Sequence, residues 1–137
     1  MVIQEDAKLI GSVAKESGIP IKTIRYYEEL GLLKTTGRTE GGFRLFSSDV
    51  FTRLNFIKRA QHLGMSLAEI REFLTIHDQG DLPCKQVQQK LSNKLVDIDR
   101  QIQQLQLLKH ELEALLSNPT VQAKDSAVSI CPIIEHH

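Results

Sequence analysis

Ile24-Arg25-Tyr26-Tyr27-Glu28, then Gly31-Leu32-Leu33, then Arg38-Thr39-Glu40-Gly41-Gly42-Phe43-Arg44-Leu45-Phe46 is the stretch whose reading decides the fold. Just upstream, Leu9, Ile10, Val13 and Ala14 recur at nearly i, i+3, i+4 spacing, so the sequence predicts a short amphipathic helix from Leu9 to Ser17. Gly18 can end it in a left-handed turn. Pro20 suits the first turn of a second helix, where its missing N–H costs nothing. On that helix Ile21, Ile24, Tyr27 and Leu30 share a face, and Gly31 closes it. Two helices joined by a glycine-containing turn make a helix-turn-helix. The face opposite the apolar one carries Lys22, Thr23, Arg25 and Tyr26. Cations of this kind neutralise phosphates, and hydroxyls bond phosphate or base edges.

Downstream, Gly37 and Gly41-Gly42 bracket a two-stranded wing. Its alternation predicts Phe43 and Leu45 packing inward with Leu33, and Arg44 pointing outward, with Arg38 on the other strand. Ser47-Ser48-Asp49 reads as a cap cluster for a helix through about Leu63, with Val50, Phe51, Leu54, Ile57 and Ala60 inward and Arg53, Lys58 and Arg59 outward. Gly64 ends that helix, and Ser66-Leu67-Ala68-Glu69 has capping-box spacing for the next. Asp78-Gln79-Gly80-Asp81 reads as a linker.

A long polar helix should then run from about Cys84 to Ser117, roughly 50 Å at ~1.5 Å per residue. Leu91, Leu95, Ile98, Ile102 and Leu105 follow steps of four, three, four and three, a heptad seam. So narrow a seam on so polar a helix calls for a partner helix from a second copy; the alternative is a helix folded back on its own N-terminal part. Asn118-Pro119 breaks the helix, and a last helical turn should start near Pro132.

The formal net charge of zero conceals an asymmetry: residues 1–63 carry 10 Lys+Arg against 7 Asp+Glu, and residues 64–137 carry 7 against 10. A basic N-terminal part suits a polyanionic partner at one end only. No apolar run approaches the ~20 residues of a membrane span, and the N-terminus has no export-signal pattern, so the expected compartment is the cytoplasm and no membrane partner is expected. The two cysteines, Cys84 and Cys131, stand too far apart in a cytosolic chain to suggest a structural disulfide.

In order and spacing these motifs, together with Leu63-Gly64-Met65-Ser66-Leu67, resemble the mercury-resistance regulator family, MerR, over essentially the whole chain. Phe46 stands where members more often carry Tyr. The resemblance implies a mainly α fold: a winged helix-turn-helix DNA-binding domain over 1–80, a long antiparallel coiled-coil dimerisation helix over 81–118, and a short C-terminal metal-binding loop over 119–137. It implies a homodimer on a pseudo-palindromic promoter operator in double-stranded DNA, with RNA polymerase as the second partner. Activation would come through bending and untwisting of the duplex. Carried over by position, Thr23, Arg25 and Tyr26 face DNA from the second helix, Arg38 and Arg44 from the wing, and Lys58 and Arg59 from the helix that follows it.

The same resemblance makes Cys84 and Cys131 ligands for a divalent thiophilic cation: zinc, cadmium, lead or mercury. Cys131-Pro132-Ile133-Ile134-Glu135 resembles the closing turn of the family's metal loop, whose first cysteine has no counterpart here. Thiolates suit such ions. Two of them suffice for linear mercury, whereas zinc wants four ligands; His136 and His137, five and six positions after Cys131, are the candidates to complete the set. A second reading of the same fold is a thiol-redox or electrophile sensor. An enzyme is not expected, because no H-E-x-x-H, nucleophile elbow or phosphate loop occurs. A coiled-coil adaptor without DNA binding is separated from the regulator by the salt dependence of duplex affinity.

Overall fold

The structure, a computed structural model, describes residues 7–117 and 128–135. The chain divides into two compact units, Met1–Lys90 and Leu91–His137.

In the first unit, α1 spans Ile10–Ser17 and ends at Gly18, whose φ of 76° places it in the left-handed region. α2 spans Ile21–Glu29, with Pro20 at its N-cap and the Pro20 carbonyl accepting from the Thr23 and Ile24 N–H groups. A nine-residue helix is too short to persist alone. Ile24 and Tyr27 hold it by burial against Val13, Leu32 and Phe46. Burying one side chain of the size of Ile24 stabilises by about 1.5–3 kcal/mol. Ile21, expected on the same face, lies half outside the core.

The sheet departs from the expectation of two strands. It has three: β1 (Lys8–Leu9), β2 (Gly37–Arg38) and β3 (Arg44–Phe46), in the antiparallel order β1-β3-β2. Leu9 therefore pairs with Leu45 rather than opening α1. The register Arg38↔Arg44 leaves residues 39–43 as the connecting loop. Phe43 belongs to that loop, so strand alternation does not reach it, and its ring is 65% exposed instead of packed inward. A Cβ on Gly41 would come within 3.2 Å of that ring, and Gly42 takes a φ of 85°, so the two glycines are what this tight connection requires. On β3 the buried residue is Phe46.

α3 spans Val50–His62 and α4 spans Leu67–Asp78. The capping box forms: the Glu69 N–H donates to Ser66 Oγ at 3.1 Å, and the Ser66 N–H donates to Glu69 Oε1 at 2.9 Å. Ser47 and Asp49 contact each other before α3, but no side chain caps that helix. Leu54, Ile57, Ile70 and Phe73 close the core, with the Phe56 and Phe73 rings edge-to-face at 6.4 Å.

Arg53 overturns its outward placement. It is 6% exposed. Its Nε donates to the Leu32 carbonyl at 2.9 Å and its Nη1 to Asp78 Oδ1 at 2.6 Å. A guanidinium survives burial only when its donors are met, and here they are met by a loop carbonyl and the carboxylate at the end of α4. Asp78 is thus a tie between elements and not simply the start of a linker; Lys34 Nζ also lies 3.1 Å from its Oδ2.

The fifth helix, α5, spans Cys84–Ser117, as the sequence predicts. Val87 packs on the core of the first unit. Beyond Lys90, the seam residues Leu91, Leu95, Ile98, Ile102 and Leu105 are 36% to 64% exposed in the single chain. The second unit also contains a single turn, α6, over Pro132–Glu135, where the sequence places one. No helix among the described residues is long and apolar enough to cross a membrane.

Candidate functional site

The buried face of α2 fixes what its other face presents. With Ile24 and Tyr27 held inside, Lys22, Arg25 and Tyr26 stand exposed and Thr23 half-buried. The Tyr27 hydroxyl donates to Gln61 Oε1 at 2.9 Å, tying α2 to α3. Burial pushes the Tyr27 phenol up from its ordinary value, so it remains a neutral donor.

On the wing, Arg38 is exposed, and its Nη1 donates to the Gly42 carbonyl across the loop at 2.9 Å. Arg44 does not project freely outward as alternation suggests. Its Nε lies 2.6 Å from Glu28 Oε1, with both side chains about three-quarters covered. Both atoms are shut off from solvent without an aligned hydrogen bond, so the contact is a close ion pair. Lys58 and Arg59 are exposed on α3. The first unit therefore carries all eight candidate DNA contacts, and Glu28 joins the wing to the helix.

Cys84 is the first residue of α5, exposed and unoxidised. It lines an apolar groove of about 450 Å³ with Phe56, Phe73, His77, Pro83 and Val87. Cys131, also a free thiol, is half-buried at the start of α6. Its N–H donates to the Glu135 carboxylate at 2.6 Å, and its carbonyl accepts from the Ile134 and Glu135 N–H groups. The two cysteines belong to different compact units. His136 and His137 lie outside the described residues. Among the described residues no group of three or more His, Cys, Asp or Glu gathers in one chain. The donors thus fit a thiophilic ion in kind, while a set larger than two thiolates needs groups from elsewhere.

Three features escaped the sequence reading: Glu28 as the partner of Arg44, Asp78 as the partner of Arg53, and the groove beside Cys84. Only Glu28 carried a signal, an acidic residue one turn after Arg25 on a helix otherwise suited to DNA.

The profile described as "MerR HTH family regulatory protein" matches residues 9–75, and that described as "MerR, DNA binding" matches residues 51–115. The mercuric resistance operon regulatory protein of Bacillus cereus is 39% identical over 126 residues, which cover 92% of this chain and 93% of that protein. The chain belongs to the MerR family. It is accordingly a DNA-binding transcriptional regulator and not an enzyme. Among solved structures, the MerR-family chain is similar to the transcription regulator PbrR691 from Ralstonia metallidurans CH34 in complex with lead(II), with a TM-score of 0.76, 29% identity and coverage of 94% of this chain and 98% of that one. HiNmlR, a MerR family regulator lacking the sensor domain and bound to promoter DNA, gives a TM-score of 0.54 at 28% identity, covering 81% of this chain and 84% of that one.

Proposed function

We propose that this protein is a metal-responsive regulator. As a homodimer it binds a pseudo-palindromic promoter operator, and on taking up a divalent thiophilic cation it activates transcription by distorting the duplex for RNA polymerase. Three functional parts carry this out: residues 1–80 bind DNA, 81–118 dimerise through an antiparallel coiled coil, and 119–137 hold the effector. Lys22, Thr23, Arg25 and Tyr26 meet DNA from α2, Arg38 and Arg44 from the wing, and Lys58 and Arg59 from α3. The observation that supports metal sensing is Cys84, free and exposed at the first turn of the helix that follows a winged helix-turn-helix. The mercury-resistance name of one relative and the lead(II) complex of another agree with it.

Cys84 of one subunit and Cys131 of the other supply the thiolates, with His136 and His137 as the further donors for zinc, cadmium or lead. Mercury needs only the two sulfurs. The bound metal would supply a bridge between subunits that no pair of uncharged thiols can make, and the protein's part is to present both thiols deprotonated.

The test is native mass spectrometry of the purified protein titrated with each of the four ions, beside Cys84→Ser and Cys131→Ser. Stoichiometric retention of an ion by the wild type and its loss in both variants are expected. Retention of none, with duplex affinity that responds instead to an oxidant, would move the reading to the thiol-redox sensor, for which the two free thiols are the supporting observation.

A further inference from the structure

We infer that Glu28 is a positioning residue for duplex DNA binding, one that holds Arg44 by Nε and so presents the rest of the guanidinium to a backbone phosphate. The inference rests on the DNA-binding reading above and names the residue that makes the wing competent.

A carboxylate on a DNA-facing element is unfavourable by charge alone, because it repels phosphate. Glu28 nevertheless lies on α2 three residues after Arg25, on the element carrying half of the candidate contacts. Its Oε1 sits 2.6 Å from Arg44 Nε, and both atoms are shielded from solvent. Nε is the inner nitrogen of the guanidinium. A carboxylate engaged there leaves the two outer nitrogens for another acceptor, and among the described residues no other partner engages Arg44. Those outer nitrogens form the fork that grips a phosphate by two parallel hydrogen bonds. The ion pair adds a polar tie between two elements that also share the core through Ile24, Tyr27 and Phe46. α2 ends at Glu29, and β3 begins at Arg44, across a loop and the opposite wing strand. Without it, Arg44 has several rotamers to choose from, and fixing one of them on DNA costs side-chain entropy.

The sign of the effect separates this role from simple electrostatics. If Glu28 were only a surface charge, Glu28→Gln would tighten binding to a polyanion. If it positions Arg44, the same change weakens binding although a negative charge has been removed.

The probe is a fluorescently labelled duplex selected by the wild-type protein from a random-sequence pool, with affinity followed across a salt series. Wild type, Glu28→Gln, Arg44→Ala, Arg44→Lys and the double variant Glu28→Gln/Arg44→Ala are compared, each checked by circular dichroism. Glu28→Gln is expected to bind about tenfold more weakly. Its log affinity against log salt should be shallower by about 0.9, the share of one phosphate contact. In the Arg44→Ala background the Glu28 change should cost nothing more. Arg44→Lys keeps the charge but has neither Nε nor the outer fork, so it should weaken binding through loss of the phosphate grip itself. If Glu28→Gln fails to fold, Glu28→Asp, whose carboxylate is one methylene shorter, carries the test with the same expected loss. Binding by Glu28→Gln as tight as wild type or tighter, or a loss that adds in full to that of Arg44→Ala, would overturn the inference while leaving DNA binding intact. Absence of salt-dependent duplex binding by the wild type would instead overturn the underlying function.

Discussion

Arg53 is the one buried charged residue among the described residues. Its donors are met by the Leu32 carbonyl and by Asp78. Removing the guanidinium would leave a carbonyl and a carboxylate short of partners. Arg53→Ala is therefore expected to cost about 3 kcal/mol, readable as a lower urea midpoint at unchanged slope. Asp78 gives the same tie a pH signature. The Arg53 hydrogen bond, joined by Lys34, holds its carboxyl below the usual aspartate value against the opposing effect of burial. A carboxyl lowered in the folded state adds stability that is fully present above the unfolded pKa, about 3.9, and is lost as pH falls through the lower folded value. Urea melts below pH 4 should show that loss in the wild type, and Asp78→Asn should flatten it. Neither partner of Arg53 was legible in the sequence, because Leu32 and Asp78 lie 21 and 25 positions away and no local pattern announces the meeting. Glu28 stood out as an acidic residue on a helix suited to DNA, but its pairing with Arg44 on another element was equally hidden. What was legible is local: the Ser66–Glu69 capping box needs only a spacing of three, and it forms.

At the scale of elements, period and punctuation carried the reading. Gly18, Pro20 and Gly64 bound the helices where the sequence places them, and α5 runs over the predicted residues because no glycine or proline interrupts it. The sheet was harder to read, since a two-residue strand such as β1 has no period to detect, and a five-residue loop removes Phe43 from the alternation of β3. Two predictions belong here. Arg25→Ala on α2 should remove most duplex affinity and lower the salt slope by about one contact, in a fluorescence titration, with helical content unchanged. On α5, Ile98→Asp places a charge in the middle of the exposed seam. It should shift sedimentation from a two-chain to a one-chain mass, while the core of the first unit, to which Ile98 does not contribute, keeps its cooperative melting.

At the scale of the molecule, the proposed function makes DNA binding and metal sensing separable by substitution. Cys84 lies outside every element proposed to meet DNA. Cys84→Ser should bind the pool-selected duplex as wild type does yet give no metal-dependent rise in transcription in vitro. A ligand shifts a two-state promoter complex only by its differential affinity for the two states. The uncovered leucines and isoleucines of α5 carry one more consequence. A lone copy leaves them wet, and mass action then ties the proportion of paired copies to how many the cell makes. On the proposed function, gene dosage thus joins the inducer as an input: a cell short of this regulator would lose operator binding and the ion site together, because each needs two copies.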